Sequence, residues 1–426
     1  MDTISSDQTS WSSSYPNPCK PGSSWVGIEC KSGTDNHLHV TRLVFGIPPN
    51  PTCKNTSTFP SEIFGLPNLQ SVFFFNCFIH TKTAITLFSH NRMFSNSPLQ
   101  QLSLRSNPGL VGSIPPQISS LKSLQILTLS QNRLSGILPS ELFSLGSLVH
   151  LDLSYNLLTG SIPNQLGSLR NLEGLDLSYN SLTGSIPYTV GQLGLLQKLD
   201  LSSNSLIGSI PNSIEKLNLL VFMALSNNRL RGEFPKGIAK LQNLQYFIMD
   251  DNPMFVSLPM EFGQLRKLQE LRLASSGYSG SIPPTFSQLT NLSTLSLQNN
   301  RLTGNIPVGF GNLSHIYHLN LSRNLLAGVV PFSLSFLKRL GRNLDLSGNA
   351  GLCLNPSEDY DTRFGVQVCG SKTGPSIIKP LKISEAPRGF TRPFSLFSAW
   401  GILWVNLAFG LWFIVALAFE CKKRPL

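Results

Sequence analysis

The chain is poor in the groups from which reactive sites are built. Only 13% of its 426 residues are charged, and its seven histidines are scattered. No metal-ligand spacing, phosphate-binding glycine loop or nucleophile elbow is written in it, so an enzyme is the least supported class and no cofactor is expected. Acidic residues are scarcer than basic ones, 22 against 33, which leaves a net charge of +11. That excess alone would allow a nucleic acid, but no aromatic and basic binding module accompanies it. No nucleic-acid partner is expected, and the charge is read as a surface property plus a basic segment near the C-terminus. The first sixteen residues, MDTISSDQTSWSSSYP, have neither a basic n-region nor an apolar h-region. Residues 1–16 therefore read as a polar N-terminus without a signal peptide, and a truncated start is expected.

What the chain does contain is one sentence repeated. Leu145, Leu148, Leu151, Leu153, Asn156, Leu158, Gly160, Ile162 and Pro163 recur 24 residues later, ending on Asn180, Leu182, Gly184, Ile186 and Pro187. The asparagine returns at Asn132, Asn204, Asn228, Asn252, Asn300 and Asn324. A fixed period in the twenties marks a solenoid, because a unit this small cannot bury its own leucines and must share a core with its neighbours. Leu151 and Leu153, two apart in a strand, point inward, while His150, Asp152 and Ser154 point outward onto a concave face. The asparagine is polar where burial is expected, so it should bond the backbone of the adjoining coil. Gly160 permits a tight bend, and Ile162-Pro163 sets an extended segment before a helical or irregular convex side. A dozen repeats at the strand spacing of about 4.8 Å give a sheet on the order of 55 Å long, sized for a protein or peptide.

The pattern L-x-x-L-x-L-x-x-N-x-L-x-G-x-I-P resembles the plant-specific class of extracellular leucine-rich repeats, over most of the chain. The resemblance implies an α/β solenoid with a curved parallel sheet, spanning 99–349. Pro18-Cys19, Trp25, Gly27-Ile28 and Cys30 resemble that family's N-terminal cap, which with the first irregular repeat occupies 17–78. It implies a Cys19–Cys30 disulfide beside a buried tryptophan. Cys53 and Cys77 make a second pair at the two ends of the irregular repeat, or remain free buried thiols. Cys353 and Cys369 resemble the C-terminal cap, 350–370. Six cysteines outside the regular repeats fit an oxidising compartment. Residues 79–98 read as an insertion, either a ligand loop or tolerated variation. Asn55, Asn291, Asn312 and Asn320 are N-x-S/T sequons, hence expected glycosylation sites, and Asn320 falls on the concave face.

Beyond the cap, 371–395 reads as a proline-containing, basic juxtamembrane linker. Residues 396–419 carry no charge over 24 positions, long enough as a helix to span a bilayer with some tilt. Lys422-Lys423-Arg424 then place the tail, 420–426, in the cytoplasm. Cys421 at the boundary is a candidate for palmitoylation or an unmodified thiol. The tail is too short to hold a kinase.

Two features of the outward face bear on function. Asp152, Asp176 and Asp200 align with His150 beside them, but an open sheet gives no reason for a perturbed pKa, so they are expected to be structural. From Leu220 to Ser276 the small or acidic outward residues give way to Phe222 and Ala224, then Tyr246, Ile248 and Asp250, then Glu270, Arg272 and Ala274, while Val256 replaces the repeat glycine and Ser276 the asparagine. Aromatic and arginine anchors are what protein interfaces use, and Phe222, Tyr246, Ile248, Asp250, Glu270 and Arg272 are the expected ligand or partner contacts; the competing reading is drift in a region that touches nothing.

Capped repeats, one span and a minimal tail resemble the plant leucine-rich-repeat receptor-like proteins, kinase-lacking relatives of the receptor kinases, and within them the developmental, Too Many Mouths kind. The resemblance implies a non-enzymatic protein of the plasma membrane, single-pass with its N-terminus outside, that binds a secreted peptide or a partner ectodomain and acts with a leucine-rich-repeat receptor kinase. The alternatives are a cell-wall-binding or hydrolase-inhibiting repeat protein, and a cytosol-facing tail-anchored scaffold.

Overall fold

The structure, a computed structural model, describes residue 4 and residues 17–20, 25–33, 35–87, 97–356 and 364–370. The described residues belong to a single compact unit ending at Ser371. The expected polar N-terminus falls almost wholly outside them, and the linker, the membrane span at 396–419, the tail and Cys421 fall wholly outside. Among the described residues no helix is long and apolar enough to cross a membrane.

One 14-stranded sheet runs through the unit in chain order. Its strands are β1 (Ile28–Ser32), β2 (Leu38–Phe45), β3 (Ser71–Phe75), β4 (Gln101–Arg105), β5 (Ile126–Thr128), β6 (His150–Asp152), β7 (Gly174–Asp176), β8 (Lys198–Asp200), β9 (Phe222–Ala224), β10 (Tyr246–Ile248), β11 (Glu270–Arg272), β12 (Thr294–Ser296), β13 (His318–Asn320) and β14 (Leu344–Asp345). β1 and β2 pair antiparallel as a cap, and from β2 onward all pairings are parallel. Registers advance by 24 residues, so Leu151 lies against Leu175 and Leu175 against Leu199. Leu145, Leu148, Leu151, Leu153, Leu158, Ile162 and Leu166 of one repeat are all buried and join the same continuous core as their copies. Truncating any one to alanine removes contacts that no other layer can replace, at about 2–5 kcal/mol.

The expected asparagine ladder is present. Asn156 Nδ2 donates to the carbonyls of Leu129 (2.8 Å) and Leu153 (3.0 Å), and its Oδ1 accepts the Leu134 N–H of the preceding coil at 3.0 Å. Asn180, Asn204 and Asn228 repeat the set. The residue before each asparagine is left-handed, as at Tyr155 (φ +54°) and Tyr179 (φ +52°), and Gly160 takes φ +76° at the bend.

The convex side corrects the α/β expectation in detail. In each regular repeat it is a five-residue 3-10 helix, as at Asn164–Ser168, with Pro163 before it and Leu169 after it. Five residues between a fixed proline and the next buried leucine leave no length for an α-helical nucleus, so the turn closes by i to i+3 bonds such as Leu166 N–H to Pro163 O at 3.0 Å. Among the described residues an α-helix appears at α1 (Leu334–Leu340), where no proline stands immediately before the helix and Ser333 caps it. Short parallel strands also follow the asparagines, for example Arg133–Ile137 beside Leu157–Thr159 and Ser279–Ser281 beside Arg301–Gly304, and form small sheets on that flank.

All three disulfides close: Cys19–Cys30, Cys53–Cys77 and Cys353–Cys369, with Cα separations of 5.7, 4.9 and 4.9 Å. Trp25 packs, partly buried, against the core beside the first. The beginning of the insertion is tied down rather than looped out, since Thr83 N–H donates to Gly109 O and Val111 N–H to Thr83 O. Residues 88–96 of the insertion lie outside the described residues.

Candidate ligand-binding face

Each strand offers two outward positions, and parallel register lines them up as two rows. The first row reads His150, Gly174, Lys198, Phe222, Tyr246, Glu270, Thr294, His318; the second reads Asp152, Asp176, Asp200, Ala224, Ile248, Arg272, Ser296, Asn320. The predicted contact residues are therefore brought together on three adjacent strands, β9 to β11, with Asp250 just past the end of β10.

The patch is less open than its sequence suggests. Phe222, expected on the surface, is only 5% exposed, and Ala224, Asp250 and Ala274 are buried too. A concave sheet crowds neighbouring side chains: the Phe222 ring lies 6.1 Å from that of Tyr246, and Lys198 Nζ sits 5.9 Å from it on the other side. Tyr246 remains half-buried and donates its hydroxyl to Gln269 Oε1 at 3.1 Å. Arg272 is held by Asp250, whose Oδ2 accepts from its Nε and a terminal nitrogen at 2.8 and 2.7 Å, and it faces Glu270 at 3.8 Å. Asp250 Oδ1 accepts the Ala274 N–H at 2.7 Å. Burial raises the pKa of Glu270, opposed by Arg272 and reinforced by Asp250. Burial, then Glu270, raises that of Tyr246. The accessible part of the patch is Tyr246, Ile248, Glu270 and Arg272, with the buried Phe222 ring beside Tyr246.

The aspartates of the second row are bonded to the coil that follows them, but the expectation of ordinary titration on an open face fails for Asp152 and Asp200. Asp152 and Asp176 each accept the N–H and hydroxyl of the serine two residues on, at 2.7–3.1 Å, and Asp200 accepts the Ser202 N–H. Burial, and then the neighbouring Asp176 carboxylate, pushes Asp152 up and Asp200 up to about 7. The curvature of the sheet supplies the burial that an open face was expected to lack. Lys198, which the sequence reading did not single out, bridges to Asp176 at 2.9 Å. Burial pulls Lys198 down, but Asp176 and Asp200 outweigh it and its pKa rises. His150, lying over the bare Cα of Gly174, is lowered by burial and by Lys198. The signal for Lys198 was a lone cation in the row between a glycine and an aromatic.

At the C-terminal end of the face Asn320 occupies the aspartate position, its Oδ1 accepting the Ser322 N–H and hydroxyl at 3.1 and 2.7 Å. It is half-buried, whereas Asn55, Asn291 and Asn312 are exposed.

Comparison with known proteins agrees with this geometry. Models of the leucine rich repeat match residues 97–158 and residues 171–193, 195–217 and 291–313. A solved leucine-rich-repeat protein of Leptospira interrogans is 30% identical, with 71% of this chain and 77% of that one covered and a TM-score of 0.50. The chain belongs to the leucine-rich-repeat family. Its relatives by sequence are plant receptor-like proteins, as its repeats and caps implied. It is 65% identical to Receptor like protein 29 of Arabidopsis thaliana over 31% of this chain and 28% of that one. It is 38% identical to Protein TOO MANY MOUTHS of Arabidopsis thaliana over 27% of this chain and 23% of that one. The matched stretch thus spans about a quarter of either protein. Among solved structures, PEPR1–AtPEP1 is 30% identical, covering 79% of this leucine-rich-repeat chain and 46% of that one with a TM-score of 0.66. The plant peptide hormone receptor RGFR1 in complex with RGF2 is 31% identical, covering 74% and 47% with a TM-score of 0.62.

Proposed function

We propose that the chain is a non-enzymatic receptor-like protein that holds a secreted peptide or a partner ectodomain on its concave face. The observation that carries this is that Tyr246, Ile248, Glu270 and Arg272 stand together on β10 and β11 next to the buried Phe222 ring of β9, where the regular repeats before them carry the aspartate row. Arg272 is pre-set by Asp250, so it presents its remaining donors without first being ordered. The likeness to a plant peptide hormone receptor solved in complex with RGF2 supports a peptide as occupant.

The remainder of the reading rests on the family. The chain acts at the plasma membrane through the span at 396–419, with the repeats outside and Asn55, Asn291 and Asn312 glycosylated. It works by associating with a leucine-rich-repeat receptor kinase, and ligand and kinase must each strengthen the other's binding if the effect is activating.

The test is co-purification from plant membranes with the unaltered chain and with Tyr246→Ala/Glu270→Ala. Recovery of a receptor kinase or peptide by the first, reduced at least about tenfold in the second, is expected for anchors at the centre of an interface. Equal recovery by a folded double variant removes the concave patch from the account. Arg272 is left intact because its loss would strand the buried Asp250 carboxylate.

A further inference from the structure

On the flank that follows the strands, one repeat loses its regular glycine. Val256 stands where the other repeats have glycine, and the left-handed turn moves one residue back to Phe255, at φ +50°. A bulky residue there is strained and persists only where its surroundings hold it. Its ring is turned outward, 61% exposed, and lies across Gly277, where a Cβ would come within 2.5 Å of it. The Arg301 guanidinium, from the next repeat but one, lies 5.5 Å from the same ring. Phe255, Ser275, Gly277, Asn299 and Arg301 border an open notch of about 570 Å³, with Asp251 at its inner edge.

The notch sits in a cationic strip. Arg229, Arg231, Arg301 and Arg323 are all exposed along this flank. Among the described residues none of the four enters an ion pair. Arginines elsewhere are used internally: Arg170, Arg266 and Arg339 donate to backbone carbonyls of a neighbouring repeat at 2.6–3.0 Å. In the sequence, Glu233 lies two residues after Arg231 and Asp251 borders the notch, so these two carboxylates stand against four guanidiniums. The exposed sequons Asn291 and Asn312 lie on the opposite side of the strands, at and just after the convex 3-10 helices.

We propose that this flank docks an acidic segment of a partner protein, its carboxylates pairing with the unengaged guanidiniums and one apolar side chain seated on Phe255 in the notch. Guanidinium matches carboxylate geometrically, and the stacked Arg301 is already oriented by the ring. Arginine and exposed aromatic together are the residues that interfaces concentrate. The proposal goes beyond the concave-face reading and shares no residue with it.

The test is fluorescence anisotropy of the full chain with a labelled twelve-residue synthetic peptide in which glutamate pairs alternate with single tyrosines. The comparators are the same peptide with glutamine for glutamate, and an oligogalacturonate of equal charge. The glutamate peptide is expected to bind and to weaken with salt. Its affinity should fall about two- to fivefold for each of Arg229→Gln, Arg301→Gln and Arg323→Gln, from the worth of an exposed ion pair. Phe255→Ala, verified as folded by an unchanged melting temperature, should weaken it as well, and Phe255→Leu should restore part of the loss. Tyr246→Ala should leave it unchanged, which separates this outcome from that of the concave face. Unaltered binding by the arginine variants, binding of the glutamine peptide as tight as that of the glutamate peptide, or absence of binding overturns the proposal. So does tighter binding of the oligogalacturonate, which would make the strip a polysaccharide surface.

Discussion

Asp200→Asn should stabilise the protein, and only above mildly acidic pH. In the folded chain burial and the adjacent Asp176 raise Asp200 from 3.8 to about 7. A carboxyl whose folded pKa is raised holds its proton more tightly when folded. Its contribution is therefore most favourable below pH 4 and is lost as pH climbs through about 7. At 1.36 kcal/mol per pKa unit, the full shift corresponds to about 4 kcal/mol of destabilisation at pH 8. The group lies between the Asp176 carboxylate and the Lys198 ammonium, whose effects oppose, so about 1–4 kcal/mol is the working range. Asparagine is the informative replacement because the chain already uses it: Asn320 holds the same position in β13, with its Oδ1 on the Ser322 N–H. Asp200→Asn can likewise keep the bond from Ser202 N–H, which is 3.0 Å in the unaltered chain.

The assay is urea denaturation of both proteins at pH 4 and pH 8, followed by far-UV circular dichroism. The variant should gain at pH 8 and match the unaltered protein at pH 4, and the unaltered protein should itself be less stable at pH 8 than at pH 5 from this group. A gain of the same size at both pH values would mean that the amide, not the removed charge, is responsible. No gain at pH 8 would refute the claim that curvature buries the carboxylate row.

Two further outcomes follow. Asn156→Ala leaves the buried Leu134 N–H without its side-chain acceptor, while the Leu129 carbonyl keeps the Asn132 amide, and should cost about 1–3 kcal/mol by equilibrium unfolding. A cost below about 0.5 kcal/mol would make the ladder ornamental. Glycosidase treatment of the membrane-bound chain made in plant cells should lower its apparent mass, through Asn55, Asn291 and Asn312 and less through the half-buried Asn320. An unshifted band, with the repeats accessible to protease only from the cytosolic side, would reverse the proposed topology.

Much of this architecture was legible because repetition turns one local pattern into a global one. The positions of Leu151, Leu153 and Asn156 state which side of the strand is core and which polar group must be bonded, and 24-residue register then stacks them without a long-range decision. The outer two cysteine pairs were legible from their resemblance to the family's caps, and Cys53 with Cys77 from their places at the two ends of the irregular repeat. What escaped was set by curvature, which no single repeat contains. Phe222 is outward by alternation yet buried, because neighbours on a concave sheet lean together. Asp200 is outward as well, and for the same reason loses the solvent that would keep its pKa ordinary. The convex turns escaped for another reason: pattern placed a helical segment after Pro163, but only the count of residues to Leu169 decides between α and 3-10.

Two successive irregular repeats, one with Ile248 and Val256 and the next with Ser276, separate drift from remodelling better than their composition does. Losing the row-two aspartate at Ile248, the coil regains a carboxylate two residues later at Asp250, which caps Ala274 N–H in place of the usual serine contact. Losing the asparagine, Ser276 donates to Ala274 O at 2.9 Å and accepts the Asn252 N–H, while Asn300 Oδ1 takes both Ser276 N–H and Tyr278 N–H at 3.1 Å. Losing the glycine, the left-handed turn passes to Phe255. Each structural function is thus recovered by a different atom nearby, and the exception is the Tyr278 hydroxyl, buried without a partner. Unconstrained drift would orphan backbone groups at several kcal/mol in total. Here the coil is kept while its two surfaces change together: Arg272 held by Asp250 on the concave side, and Phe255 under Arg301 on the flank. That coincidence is the reason to place the chain's recognition chemistry in these repeats and their neighbours, and not in the regular repeats with the acidic row.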